Sequence, residues 1–378
     1  MQASPELSRA GAILRIDLDA LCANWQDLRA RLAPGARCAA VLKADAYGLG
    51  AHQVAPALYE SGCRHFFVAH TAEGITLRSL LPDAARIYVL HGPVPGSETD
   101  FLAHHLIPVL NSPRQIEGWQ TLARHRGQTL PAVLQVDTGM ARMGLAPADL
   151  AALPELAHCP GVEWLFVMSH LAVAEDPAHP ANAEQLERFR HALARFPGVE
   201  GCLANSSGIF LGADYHFGMV RPGAALYGVA PQVGQPNPMR PVIQLCSRII
   251  QLRDIAAGTP VGYGQSWCAQ RPSRIATITV GYADGYLRSL GNRGQVYYGS
   301  QALPVVGKVS MDTLTIDVTD LPPDTLQEGE FLDLACPWQG VDAIADQAGT
   351  IGYEVLTSLG RRYTRIYTRS TAPATAGT

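Results

Sequence analysis

Residues 38–50 read CAAVLKADAYGLG, and the fold is decided by how the run breaks at Lys43. A compact apolar stretch, residues 39–42, stops at the lysine and is followed by Asp45, Tyr47 and the glycines Gly48 and Gly50. That is the pattern of a buried strand running into a loop. A lysine at such a strand end can be desolvated, lose its proton and become a nucleophile toward an aldehyde. More often a lysine there is a snorkelling charge that only marks the strand end, so the rest of the chain has to decide.

Outward from this stretch a rhythm sets in. Short apolar runs recur at residues 39–42, 65–69, 86–90, 107–110, 132–136, 164–168, 202–205 and 225–229, each followed by a turn and a helix-like segment. Strands alternating with helices over this length predict an N-terminal (β/α)8 TIM-type barrel rather than an open sheet. Before it, residues 13–17 alternate like a strand, and Asp19 is placed to cap the helix that follows. Residues 230–238, APQVGQPNP, lack periodicity and read as an interdomain connection. Beyond them, short β-rich runs separated by Gly and Pro predict a C-terminal all-β domain. The expected division is 1–240 for the barrel, with the first dozen or so residues packing on the β domain, and 241–378 for the rest. Residues 370–378 are small and polar and read as a frayed end.

Composition narrows the function. Hydrophobic residues make up 47% and charged ones 16%, and the net charge of −4 comes from scattered groups. Neither a nucleic-acid groove nor a membrane patch is indicated, which favours small-molecule chemistry. The eight cysteines are widely spaced and form no metal-ligand pattern. With no apolar run long enough for a membrane span and no secretory leader pattern, the expected location is the cytoplasm.

In a barrel of this kind functional residues stand at the C-terminal strand ends, and phosphate binds near the last two strands. Lys43 ends the first strand, Arg142 follows the fifth in VDTGMARMG, and His170 ends the sixth in FVMSHLA. Asn205, Ser206, Ser207 and Gly208 end the seventh, and Arg221-Pro222-Gly223 opens the eighth. Hydroxyls and an uncrowded glycine backbone suit a phosphate. A reactive lysine beside a phosphate site points to pyridoxal 5′-phosphate. Taken singly these features are ordinary, since an Asn-Ser-Ser-Gly loop is usually a helix cap. Their joint placement is what carries the reading.

The motifs VLKADAYGLG (41–50), VDTGMARMG (136–144), SHLA (169–172), NSSG (205–208), RPGAALYG (221–228), VGYG (261–264), GYADGY (281–286), KVSMD (308–312) and GYE (352–354) span nearly the whole chain. In their order they resemble the alanine racemases, the fold-type III pyridoxal-phosphate racemases. The resemblance implies that Lys43 holds the cofactor and serves as base on one face of the amino acid. Tyr263 would be the opposite base, reaching the site from the other subunit of a homodimer. Tyr47, Ser206, Gly223 and Tyr353 would bind the phosphate with Asn205 beside them. Arg221 would bond the pyridine nitrogen with His170 supporting it, and Arg142, Met311 and Asp312 would meet the substrate. Glu175, Tyr282, Arg288 and Lys308 resemble residues of the family's substrate entrance.

Removing an α-proton from one face and returning one to the other calls for two opposed groups, which agrees with those roles. The expected reaction is interconversion of L- and D-alanine, for peptidoglycan precursors or alanine catabolism. The chain departs from the family where a carbamylated lysine is frequent: Gln135 stands there, so no carbamate is expected, and Arg142 is held by that amide or by a bound anion. Ser310 and Ala224 are smaller departures. Serine or broader specificity is the alternative within this class. A non-catalytic cofactor-binding barrel is disfavoured by the second domain with Tyr263, and a decarboxylase by Ser310.

Overall fold

The computed structural model describes residues 5–153 and 160–370. They form two compact units, one of residues 22–226 with 230–239 and the other of the remaining described chain. Cys159 and residues 371–378 lie outside the described residues. Among those described, no helix is long and apolar enough to cross a membrane.

The first unit is a closed parallel barrel. Its sheet has nine segments, of which Arg37–Cys38 and Ala40–Val41 are the halves of one strand broken at Ala39. The lower half pairs with Met219–Val220 and the upper with His65–Val68. Ala39 N–H donates to the Val220 carbonyl at 3.0 Å, and Leu42 N–H to the Phe67 carbonyl at 2.8 Å, which closes the ring. Between these lie Arg86–Val89, Leu106–Leu110, Leu130–Gln135, Val162–Met168 and Glu200–Cys202, all parallel. A ring of parallel strands is buried on both faces, which is why its strands read as continuous apolar runs rather than alternating ones.

The eighth strand differs from expectation. Met219–Val220 occupies that place, and residues 225–229 do not; Ala224–Tyr227 is a 3-10 turn instead. Pro222 has no N–H for a ladder, and the N–H groups of Gly223 and Ala225 both turn to the Ser206 hydroxyl, at 2.9 and 3.2 Å. Arg221 therefore follows the last strand, as Lys43 follows the first.

Inside the barrel, Phe67, Tyr88 and Phe166 form an aromatic layer. Ring centroids are 4.5 Å apart for Phe67 with Tyr88 and 5.3 Å for Tyr88 with Phe166. The Arg221 guanidinium lies 6.0 Å over Phe67, so the floor of the barrel mouth is apolar and packed. Segment 230–238 is tied to this unit, Val233 N–H donating to the Glu175 carbonyl at 2.9 Å.

The second unit is built on the long strand Ile243–Ile255. Its first half pairs antiparallel with Ala12–Asp17 and Phe331–Ala335, and its second with Ser273–Ile278. Ala12–Asp17 also runs parallel to Thr364–Thr368. Residues 13–17, assigned above to the 1–240 span, thus lie in the sheet of the later domain. Asp17, not Asp19, caps the helix Leu18–Ala30 by accepting from Ala20 N–H at 2.9 Å. The Asp19 carboxylate instead holds Ser370, whose N–H and hydroxyl both donate to it at 2.6 Å, so the expected fraying does not begin at that residue. This unit also carries the helices Pro5–Arg9, Val341–Ala348 and Gly352–Ser358.

Candidate active site

Lys43 leaves the first barrel strand into an unusual backbone. Ala44, Asp45, Ala46 and Tyr47 all have φ of 54–55°, a turn of left-handed helix made without glycine. Such a conformation costs L-residues about 1–2 kcal/mol each, so bonds around it must hold it. Gly48 N–H donates to the Ala44 carbonyl at 2.7 Å, Gly50 N–H to Asp45 at 2.9 Å, and the Asp45 carboxylate accepts from Ala51 N–H at 2.7 Å. The turn carries the buried Tyr47 phenol round to Gly223, where an added Cβ would stand 2.3 Å from its oxygen.

Electrostatics at the mouth are cationic. Burial lowers the Lys43 amine below its ordinary pKa, with Arg142 and Arg221 adding to the effect and Glu73 opposing it. The half-buried imidazole of His170 is pushed down to about 3 by desolvation, with Arg221, Arg142 and Lys43 contributing. It is therefore neutral at ordinary pH. Arg221, itself buried, donates to the carbonyls of Ser169 at 2.7 Å and Cys202 at 2.9 Å and lies 3.4 Å from His170 Nδ1. Those bonds use both terminal nitrogens, so the guanidinium is fixed in place.

Ser206 is buried, and its oxygen gathers the N–H groups of Gly223 and Ala225. Asn205 plays a different part: its carboxamide oxygen accepts from Gly208 N–H at 2.9 Å and caps the turn Ser207–Leu211. Arg142 is exposed and has no hydrogen bond among the described residues. The expectation that Gln135 holds it is not met. Gln135 is buried, and its amide nitrogen points toward the Met143 carbonyl, 3.5 Å away. What shapes the Arg142 loop is Asp137, whose carboxylate accepts from the N–H groups of Gly139 and Met140, each at 2.9 Å, and of Ala141.

Two supporting residues escape sequence reasoning. Gln185, buried on the helix Ala181–Leu193, donates to the His170 carbonyl at 3.0 Å and accepts from Ala172 N–H at 2.8 Å. Glu73 bonds the backbone beside Lys43. Polar residues on helices ordinarily read as solvated faces, and only the fold shows which of them turn inward.

The other predicted residues, Glu175 apart, lie in the second unit. Tyr263 is 72% exposed on the hairpin between Pro260–Val261 and Trp267–Cys268. It stands between Gly262 and Gly264, both at positive φ, and Lys308 Nζ lies 3.0 Å from where a Gly264 Cβ would be. The loops bearing Tyr282 and Met311 are zipped together, Tyr282 N–H donating to the Ser310 carbonyl and Ala283 N–H to that of Met311, each at 3.0 Å. Arg362 clamps them by bonding both the buried Asp284, at 2.6 and 2.7 Å, and Asp312, at 2.6 Å. Tyr282 and Met311 remain exposed, as does Tyr353 on the helix Gly352–Ser358. Arg288 opens a 3-10 turn, and Glu175 is exposed in the first unit. No cluster of three or more His, Cys, Asp or Glu capable of holding a metal occurs among the described residues.

Comparison with known proteins accords with this arrangement. The family model described as "Alanine racemase, N-terminal domain" matches residues 16–231, and its C-terminal counterpart matches residues 242–367. An alanine racemase of Rhodospirillum rubrum is 51% identical over 364 residues, covering 95% of this chain and 96% of the relative. A catabolic alanine racemase of Agrobacterium fabrum is 50% identical, covering 100% and 98%. Among solved structures, the alanine racemase of Bartonella henselae with covalently bound pyridoxal phosphate superposes with a TM-score of 0.91 at 44% identity, over 95% of this chain and all of that one. Both halves are matched in the order in which they stand, and the chain belongs to the alanine racemase family.

Proposed function

We infer that the protein is a pyridoxal-phosphate-dependent racemase of alanine, using Lys43 and the partner subunit's Tyr263 as opposed bases. The observation that carries this is the lysine itself. The chain has two lysines, Lys43 and Lys308, and Lys43 is the one in the barrel mouth with its amine desolvated beside Arg142 and Arg221. The surroundings fit the cofactor. Gly223, Ser206 and Tyr47 form a cradle that a single Cβ would fill, with hydroxyl groups suited to a phosphate. Arg221, immobilised over the aromatic floor, suits a ring nitrogen that accepts a hydrogen bond.

Pyridoxal phosphate, when bound, supplies the electron sink that lets an amino acid release its α-proton. The chain supplies the rest. Lys43 is the site of attachment and, once displaced by the substrate amine, takes or returns the α-proton on its face. The partner's Tyr263 does so on the other, reaching from an exposed hairpin whose glycines leave its ring unpacked. Arg142 offers its charge to the substrate carboxylate and Tyr353 its hydroxyl to the phosphate. Met311 and Asp312 border the substrate, and Glu175, Tyr282, Arg288 and Lys308 line its entrance. His170 stays neutral and keeps Arg221 oriented.

The test is incubation of L-alanine, and separately L-serine, with the cofactor-loaded enzyme in deuterated water, followed by chiral separation and mass analysis. Both alanine enantiomers should carry α-deuterium, with serine slower. Carbon dioxide release would replace the racemase reading with a decarboxylase. Tyr263→Phe should lose about 10²–10⁴-fold in racemisation, the usual weight of a positioned acid–base group; wild-type exchange in both enantiomers would remove Tyr263 from the mechanism. Mixing inactive Lys43→Ala and Tyr263→Phe proteins under subunit exchange should restore about a quarter of wild-type activity, because in a two-fold dimer with shared sites half the dimers regain one intact site. No recovery would argue that each subunit works alone.

A further inference from the structure

The left-handed turn after Lys43 needs an anchor outside itself, and one side chain supplies it. Glu73 sits half-buried in the first turn of the helix Thr71–Leu80. Its Oε1 accepts from Ala44 N–H at 2.6 Å, while Oε2 accepts from the N–H groups of Ala69 at 2.8 Å and His70 at 2.9 Å. One carboxylate thereby ties the residue after Lys43 to the end of the second barrel strand, through short charge-assisted bonds.

The same carboxylate bears on the amine. Burial above all, then Arg142 and Arg221, disfavours the charged form of Lys43, and Glu73 is the acid that opposes them in part. His170 and His91 also face the amine, and His91 meets His70 edge-on at 4.6 Å. Asp45 is nearer in sequence, but its carboxylate caps Ala51. We propose that Glu73 is the positioning residue of Lys43: one oxygen holds the left-handed turn that aims the lysine, the other ties that turn to the end of the second barrel strand, and the carboxylate stands as a counter-charge among the surrounding cations.

The proposal rests on Lys43 being the lysine that takes the cofactor, and the two ideas can fail separately. In the full-length protein freed of cofactor, trace labelling with acetic anhydride across a pH series, read by peptide mass spectrometry, follows Lys43 with Lys308 as the internal standard. In Glu73→Gln the labelling midpoint of Lys43 should move to lower pH while that of Lys308 stays. Glu73→Asp keeps the charge on a shorter arm. It should hold the midpoint closer to wild type, yet speed amide exchange at residues 44–47 about tenfold through loss of the Ala44 bond. An unmoved midpoint in a natively folded Glu73→Gln, or unchanged exchange at Ala44 in Glu73→Asp, overturns the corresponding half. Should Glu73→Gln fail to fold, the Glu73→Asp pair of measurements decides. Absence of borohydride-trapped cofactor on Lys43 of the wild type would instead sink the racemase reading and leave the labelling result standing.

Discussion

Gly223 and Tyr47 occupy adjoining volumes with nothing to spare. A methyl group at Gly223 would stand 2.3 Å from the Tyr47 oxygen and 3.1 Å from its ring carbon Cζ. The phenol cannot swing aside, because it is buried on a turn whose backbone is already strained. Gly223→Ala should therefore weaken cofactor affinity by about tenfold or more, equivalent to roughly 1.4 kcal/mol, measured by absorbance titration of the cofactor-free protein. Tyr47→Phe removes the clashing oxygen, so the double variant should be more stable than additivity predicts; strict additivity in melting experiments would mean the two residues do not compete. Lys43, Arg142, His170 and Ser206 are legible in the sequence because each follows an apolar run at a strand end. Glu73 is not, for its partner is a backbone N–H whose direction depends on a positive φ that Ala-Asp-Ala gives no reason to expect.

At the level of elements, the turn over residues 44–47 inverts the usual meaning of glycine. Ala→Gly in an exposed right-handed helix destabilises by about 1 kcal/mol, which is the expectation for Ala183→Gly on the helix Ala181–Leu193. Ala44 is exposed and at φ 54°. Relief of its left-handed strain should offset the entropy that glycine adds to the unfolded chain, leaving Ala44→Gly neutral to about 1 kcal/mol more stable. Parallel denaturant melts of the two variants check this, and equal destabilisation would show that the turn is not strained. Sequence reading finds the barrel strands where apolar runs are long and misplaces the last one. Met219–Val220 is too short to register, and the stronger run behind it is bent into a 3-10 turn by Pro222 and the Ser206 hydroxyl.

For the molecule as a whole, two half-buried imidazoles shape its response to acid. His65 is pushed down to about 4 by burial, with Arg37 and Arg86 adding to the effect, and His170 to about 3. An unfolded histidine titrates near 6.5. Between 6.5 and those lower values the unfolded chain binds protons that the folded chain refuses, so stability falls as pH drops through the window and is unaffected by these groups above it. Melts at pH 7.5 and 5 should show the wild type losing more on acidification than His65→Gln, which can keep a bond to the Tyr88 hydroxyl now 3.0 Å from the imidazole. Equal losses would place the acid sensitivity elsewhere. The placement of Ala12–Asp17 between Ile243–Ile255 and Thr364–Thr368 bears on time rather than energy. A strand made before the barrel has to wait, unpaired, until Ile243–Ile255 emerges, while the barrel that lies between them in sequence can close on its own. The second sheet is thus fastened only after the barrel has been made, and residues 241–378 expressed alone should aggregate along the gap and regain solubility when a peptide of residues 10–21 is supplied.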